Sequence, residues 1–132
     1  MSKKLHVKEL AERIEDEDDT LTKLELQSLS IDENDLTTLL EPLKNSKIVK
    51  ELNLSNNESL DDHSVGVLCD IISSCKSLNK IYLEGTLYTK ISTILHAIKI
   101  TESIEDATLP EAATEDELDL LDAILEERER KD

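Results

Sequence analysis

A short apolar pattern that returns three times at nearly constant spacing constrains the fold of this chain more than any other feature. Its copies begin at Leu21, Val49 and Leu78. Each copy has the form Leu-x-x-Leu-x-Leu, with Val or Ile at two positions, and its last two apolar residues point to one face of a strand. A repeat of this length indicates a strand-plus-helix unit that buries its apolar face only against its neighbours.

An apolar set at helical spacing follows the first two copies and predicts the helix of each unit. The two sets correspond position by position at the spacing of the repeat: Leu36, Leu39, Leu40 and Leu43, then Val65, Leu68, Cys69 and Ile72. Asp32 and Asp61 precede these sets and are suited to cap the helices. Because strands that alternate with helices run parallel, we expect parallel strands and helices through residues 21–100.

The regions before and after the repeats differ from them in composition. Residues 1–20 predict a capping helix at about 5–15 followed by an acidic turn, and residues 101–114 contain Pro110, lack periodicity and predict a linker. Residues 115–132 predict an acidic amphipathic helix that follows a capping box of Thr114 and Glu117. Residues 101–132 hold 13 acids and 3 bases, so we expect this helix to be free or loosely docked on the net-negative repeats.

The second copy matches the longer pattern Leu-x-x-Leu-x-Leu-x-x-Asn through Val49, Leu52, Leu54 and Asn57, and with it the chain resembles the leucine-rich repeat family. The repeat length is similar to the ribonuclease-inhibitor-like subclass, and residues 61–78 resemble the cysteine-containing repeats of substrate-adaptor proteins. The resemblance implies an α/β fold, a short leucine-rich-repeat solenoid with parallel strands on the concave face, helices on the convex face and helical caps. Leu29 and Thr86 stand at the Asn position of the first and third units, so we expect the turns there to differ.

The net charge of −16 disfavours some classes of partner and favours others. Nucleic acid is a poor partner for such an acidic chain, whereas a basic protein surface is attracted to it. No apolar run approaches the roughly 20 residues that span a bilayer, and no secretory signal is apparent, so we expect no membrane association. Cys69 and Cys75 point to different faces of one predicted helix, and two unpaired thiols favour a cytoplasmic location, with the nucleus as the alternative.

No group of residues in the sequence has the spacing of a catalytic, metal or cofactor site. The three histidines are far apart, the two glycines form no phosphate loop, and no base accompanies either cysteine. Cys69 occupies an apolar position of the helix pattern and is predicted to be buried, whereas Cys75 is predicted to be partly exposed. We therefore expect no enzyme activity, no cofactor and no metal.

The strand residues between the buried positions are the candidate partner-binding residues, because they point away from the core. Stacked parallel strands place them in rows across the concave face, and the candidates are Lys23, Glu25, Glu51, Asn53, Lys80, Tyr82 and Glu84. Gln27 and Ser55 continue the row of Glu84. Tyr82 is one of two aromatic residues in the chain, and Tyr is favoured at interface hot spots.

Together these features predict a monomeric, non-enzymatic protein–protein interaction module that presents its concave strand face to a protein partner. Two alternatives follow from resemblance. The repeat subclass with an acidic tail is similar to the Ran GTPase-activating proteins, although the three arginines, Arg13, Arg128 and Arg130, lie outside the repeats. The second alternative is an acidic histone-binding or cytoskeleton-binding repeat protein.

Overall fold

Four short parallel strands form one sheet, and helices pack against one of its faces. The computed structural model describes residues 3–130, so the first two and last two residues of the predicted end segments lie outside the described residues. The strands are β1 (Lys23–Glu25), β2 (Glu51–Asn53), β3 (Lys80–Tyr82) and β4 (Asp106–Thr108). The helices are α1 (Lys3–Glu15), α2 (Glu33–Asn45), α3 (Val65–Ser74), α4 (Ile91–Ile100) and α5 (Glu115–Arg130). The strand order β1-β2-β3-β4 confirms the predicted fold class.

The strand residues predicted to face inward form the centre of the core. Leu24, Leu52 and Ile81 stand in register on neighbouring strands with 0–1% exposure. Each helix packs against the next along the chain, from α1 to α5, and covers this apolar layer. Burial of one such side chain contributes about 1.5–3 kcal/mol, so the stack is a main source of stability. Within residues 3–130, no helix is long and apolar enough to cross a membrane.

Aspartates begin the helical segments of the first two units, as the sequence predicts. The Asp35 amide donates to the Asp32 carboxylate at 3.0 Å, and the Asp32 amide donates to the Asp35 carboxylate at 3.0 Å, so a capping box begins α2. The His63 amide donates to the Asp61 carboxylate at 3.0 Å and begins a single 3-10 turn that leads into α3. These bonds satisfy backbone donors that the first turn of a helix otherwise leaves unpaired.

Asn57 satisfies the backbone of two turns at once. Its side-chain oxygen accepts hydrogen bonds from the amides of Leu29 at 3.1 Å and Ile31 at 2.9 Å, both in the preceding unit. Its side-chain nitrogen donates to the carbonyls of Leu26 at 3.0 Å and Leu54 at 2.8 Å. The first turn, which has no Asn of its own, is therefore completed by the second unit.

The turn after β3 is completed in a different way. The Thr86 hydroxyl donates to the Leu83 carbonyl at 2.6 Å. Gly85 adopts a φ of 77°, and a Cβ there would lie 2.2 Å from the side-chain oxygen of Asn56 in the neighbouring turn. Glycine is required at this position because both the backbone conformation and the close approach exclude a side chain.

The predicted linker at residues 101–114 contains the fourth strand, so that prediction was wrong. β4 pairs with β3 in parallel register, and Ala107 lies opposite Ile81. Ile104, Ala107 and Leu109 are buried and repeat the apolar spacing of the first three strands, but they follow their counterparts in the third unit at a shorter interval than the earlier units keep. This shorter interval, and Ala in place of Leu or Ile, weaken the sequence pattern here.

Helix α5 docks against α4, contrary to the expectation of a free or loosely docked helix. Leu121 and Ile124 are buried. The Arg128 guanidinium donates to the carbonyls of Ile98 at 2.5 Å and Ile104 at 2.6 Å. Carbonyls at the C-terminal end of a helix such as α4 attract a cation. These local contacts outweigh the repulsion expected between two net-negative segments.

The two cysteines have the opposite environments to those predicted. Cys75, predicted to be partly exposed, is fully buried at the end of α3, and Cys69, predicted to be buried, is half-buried. The helix turns this position partly away from the core, since Leu40 at the corresponding position of α2 is also only partly buried. Both thiols are free.

Candidate partner-binding surface

The face of the sheet opposite the helices carries the predicted partner-binding side chains in rows. The first row consists of Lys23, Glu51, Lys80 and Asp106, and the second of Glu25, Asn53, Tyr82 and Thr108. We call these eight residues the open face. Asp106 and Thr108 are additions that the linker prediction excluded, and the apolar spacing of Ile104, Ala107 and Leu109 is the signal that could have found them.

Charges alternate along the first row and pair with one another. Glu51 Oε1 lies 3.5 Å from Lys80 Nζ, and Glu51 Oε2 lies 4.0 Å from Lys23 Nζ. The Glu51 side chain is 21% exposed, less than either lysine. Two lysines and two acids make the first row formally neutral, and Glu25 is the one charged residue of the second row, so the open face does not share the large negative charge of the whole chain.

Tyr82 is held against β4 by its hydroxyl group, which donates a hydrogen bond to Asp106 Oδ2 at 3.4 Å. Partial burial, and then the negative charges of Asp106 and Glu51, raise the pKa of Tyr82. The hydroxyl therefore keeps its proton at neutral pH and remains a hydrogen-bond donor. The ring is half-buried, which leaves part of its apolar surface available to a partner.

Exposure of the predicted residues is highest away from the middle strands. Lys23, Glu25 and Glu84 are exposed, and the other four candidates, on β2 and β3, are half-buried because a strand flanks them on each side. Glu84 lies just beyond β3, where its Oε1 is 3.5 Å from the Ser55 hydroxyl of the neighbouring unit. The structure thus brings all seven predicted residues to one continuous surface, but only three of them are exposed.

An acidic depression of about 550 Å³ adjoins the open face beside β4. Its lining residues are Lys80, Glu102, Glu105, Asp106, Leu125, Arg128 and Glu129. The Arg128 guanidinium is bound to backbone carbonyls, so the acids dominate the charge that a partner would meet. In the described part of the chain, no group of three or more His, Cys, Asp or Glu residues could hold a metal ion.

The side chains best suited to chemistry are engaged in structural contacts. Burial, and secondarily Asp70, raises the pKa of Cys69 to about 11, so the thiol is not a nucleophile at neutral pH. Arg13 pairs with Asp18 at 2.8 Å, and Arg128 bonds to backbone carbonyls. Both guanidinium groups bond within the folded domain and neither contact points to a nucleotide site, so these contacts give no support to the GTPase-regulator alternative.

Comparison with known proteins identifies the class of fold. The chain is similar to the tropomodulin C-terminal domain of Caenorhabditis elegans, with a TM-score of 0.62 and 15% identity over 95% of this chain and 94% of that domain. It is also similar to leiomodin-1 actin-binding site 2, with a TM-score of 0.65 and 15% identity over 93% of this chain and 89% of that domain. No family model and no curated protein sequence matches the chain. The likeness shows a leucine-rich-repeat-like fold and does not support the ribonuclease-inhibitor-like subclass.

Proposed function

We propose that this chain is a non-enzymatic protein-interaction module of the cytoplasm that binds actin. The observation that carries this proposal is the extent of the fold likeness, which covers 95% of this chain in one comparison and reaches well beyond residues 21–100. One of the two similar domains is itself named an actin-binding site. Short parallel strands with a polar outer surface supply a rigid platform for a protein partner, and no residue spacing in the sequence points to a catalytic site.

The open face is the surface we propose for this contact. It presents one aromatic ring, Tyr82, among paired charges, and a Tyr that is already ordered loses little side-chain freedom on binding. The ion pairs of Glu51 with Lys23 and Lys80 can be exchanged for pairs with a partner at little cost, because exposed pairs contribute about 0–1 kcal/mol each.

Charge outside the open face favours a partner with a basic surface. Residues 101–132 hold 13 acids and 3 bases, and of these acids only Asp106 belongs to the open face, whose first row is neutral. Such a field accelerates encounter with a basic patch and weakens as salt is added. We also propose that the chain is a monomer, and sedimentation equilibrium of the chain alone tests this, since the mass of a dimer would contradict it.

Co-sedimentation of the full chain with actin filaments tests the proposal. We expect saturable binding that falls by at least about tenfold in Tyr82→Ala, as for loss of an interface anchor. Tyr82→Phe keeps the ring and loses only the bond to Asp106, so it should bind nearly as the parent does. A chain that stays in the supernatant at every actin concentration would reject actin as the partner.

Two charge reversals locate the binding surface. Lys23→Glu changes an exposed residue of the open face, and Lys47→Glu makes the same change of net charge at an exposed residue after α2. We expect the first to alter binding several-fold more than the second, because only the first lies at the proposed contact. Equal effects of the two changes would show that actin binds elsewhere on the chain.

A further inference from the structure

Exposed apolar side chains concentrate on the two helices at the C-terminal end. Of the five large apolar side chains exposed in the described part of the chain, three belong to these helices: Ile100 on α4, and Leu118 and Leu120 on α5. Leu120 is 49% exposed. Scattered exposed leucines are ordinary, but an exposed leucine that lines a groove with a buried apolar floor is a candidate for an interaction site, and Leu120 is such a residue.

Leu120 forms one wall of a groove between α4 and α5. The groove has a volume of about 240 Å³ and is lined by Ser92, Leu95, His96, Lys99, Glu117, Leu120 and Ile124. Leu95 and Ile124 are almost fully buried and form its floor. No strand residue lines this groove, so it is separate from the open face. Its volume lies below the roughly 300–1,000 Å³ typical of small-molecule pockets, and an open apolar trough between two helices suits inserted side chains of a third helix.

The two walls of the groove differ in charge, and this difference determines which charges on a partner are complementary. One acid, Glu117, lines the groove, and α5 carries seven more that make the whole helix acidic: Glu115, Asp116, Asp119, Asp122, Glu126, Glu127 and Glu129. Its bases are Arg128 and Arg130, and the Arg128 guanidinium is bound to backbone carbonyls. The α4 wall contributes Lys99 and His96. A partner with basic residues along the edge that meets α5 therefore has complementary charge.

We infer that this groove binds an amphipathic helix of a partner protein, with an apolar stripe flanked by Lys or Arg on the side that faces α5. α4 spans 10 residues, and at about 1.5 Å per residue this length matches roughly three turns of a bound helix. The stripe would follow the i, i+3, i+4, i+7 spacing of helices that lie in apolar grooves. This inference goes beyond the proposed function and does not depend on whether actin binds the open face.

The first test uses synthetic helical peptides of about three to four turns. One peptide carries a leucine stripe flanked by lysines, the second has the same composition in scrambled order, and the third replaces every lysine by glutamate. Fluorescence anisotropy with the full chain should show saturable binding of the striped basic peptide, and binding of the other two at least about tenfold weaker. Equal binding of the striped and scrambled basic peptides would overturn the inference, because attraction to acidic charge alone would then explain it.

The second test is a matched pair of substitutions. Leu120→Glu changes the groove wall, and Leu87→Glu makes the same change at a leucine that is 54% exposed in the loop after β3. Both add one negative charge, which would strengthen a purely electrostatic attraction. We expect Leu120→Glu to weaken binding of the striped basic peptide at least about tenfold, and Leu87→Glu to change that affinity less than about twofold.

Leu120→Ala covers the case in which the glutamate disturbs α5, and circular dichroism of each variant checks that the helices are retained. We expect Leu120→Ala to weaken binding of the striped basic peptide by about threefold or more, while the helix content of the variant stays unchanged. No loss in either folded Leu120 variant, or equal loss in Leu87→Glu, would show that the groove is not the binding site. Absence of saturable binding by the striped peptide would likewise overturn the inference.

Discussion

The middle of the sheet and its C-terminal end are held together by contacts of different kinds. In the middle, equivalent residues of successive units stack on one another, as Leu52 does between Leu24 and Ile81. At the end, single side chains reach back to earlier backbone: Arg128 bonds to the carbonyls of Ile98 and Ile104. The stacking is repeated in successive units, whereas the charged hydrogen bonds of Arg128 belong to the C-terminal end alone.

The stacked contacts hold the repeat units to one another, whereas the contacts of α5 cover the last unit. A repeat unit presents an apolar side to the next unit, so the last unit needs a cover that ends the series. Here α5 supplies that cover with Leu121 and Ile124, and Glu111 adds a hydrogen bond from the Gly85 amide to its carboxylate at 2.8 Å. An acidic helix docks on a net-negative domain because a few well-placed contacts outweigh the repulsion between net charges.

The largest effect is expected in the repeated stack. Leu52→Ala removes a fully buried side chain between two strands and should lower the free energy of unfolding by about 2–5 kcal/mol. Urea denaturation measures this loss. Leu87→Ala, at an exposed leucine, should change the free energy of unfolding by less than about 0.5 kcal/mol. A loss below about 1 kcal/mol for Leu52→Ala would contradict the repeat core.

The turns give the next largest effect. Asn57→Ala leaves backbone groups of Leu26, Leu29 and Ile31 without their partner, and should cost about 2–4 kcal/mol because each buried unpaired group costs about 1–3 kcal/mol. Thr86→Val removes the equivalent bond of the third unit while keeping the side-chain shape, and should cost about 1 kcal/mol. Comparable losses for the two variants would show that Asn57 does not join two turns.

Closure by α5 should contribute less than Leu52 or Asn57 does. Arg128→Ala removes the charged hydrogen bonds to the end of α4, and we expect a loss of about 1–2 kcal/mol in the free energy of unfolding, since the freed carbonyls regain water. Arg128→Lys keeps the charge but cannot span separate carbonyls, so it should recover less than half of that loss. Full recovery of the free energy of unfolding in Arg128→Lys would show that the positive charge alone stabilises the contact.

The smallest effect is expected in the open face. A double-mutant cycle between Glu51→Gln and Lys80→Met should give a coupling energy of about 0.2–1 kcal/mol, because the two charges are 3.5 Å apart and partly exposed. The coupling should shrink at high salt. A coupling above about 2 kcal/mol that persists in salt would mean that this pair supports the sheet and is not free to re-pair with a partner.

Sequence periodicity predicts the repeated part of the molecule and misses its end for one physical reason. Periodicity detects positions that recur, and the apolar residues of β1, β2 and β3 recur at a nearly constant interval. β4 follows β3 at a shorter interval with Ala107 at its centre, so it escapes the same search. The docking of α5 depends on Arg128, whose partners are backbone carbonyls that carry no sequence signal of their own.

The residues of the candidate surface could be predicted from the sequence, but the cancellation of their charges could not. Strand alternation places Lys23, Glu51, Lys80 and Tyr82 on one face, and the structure has them there. Their mutual neutralisation follows from cross-strand register and from Asp106, which belongs to the strand that was missed. The groove between α4 and α5 could not be predicted while α5 was expected to be free.

Hydrogen exchange of the isolated chain tests most directly the claim that the C-terminal segment belongs to the same folded unit as the repeats. We predict that amides of Leu121–Leu125 in α5 are protected to a degree similar to those of Ile94–Ile98 in α4, because helices that pack on each other are expected to open together. A free helix of 16 residues is only marginally stable in water. Exchange of the α5 amides near the unprotected rate, while those of α4 stay protected, would contradict the account.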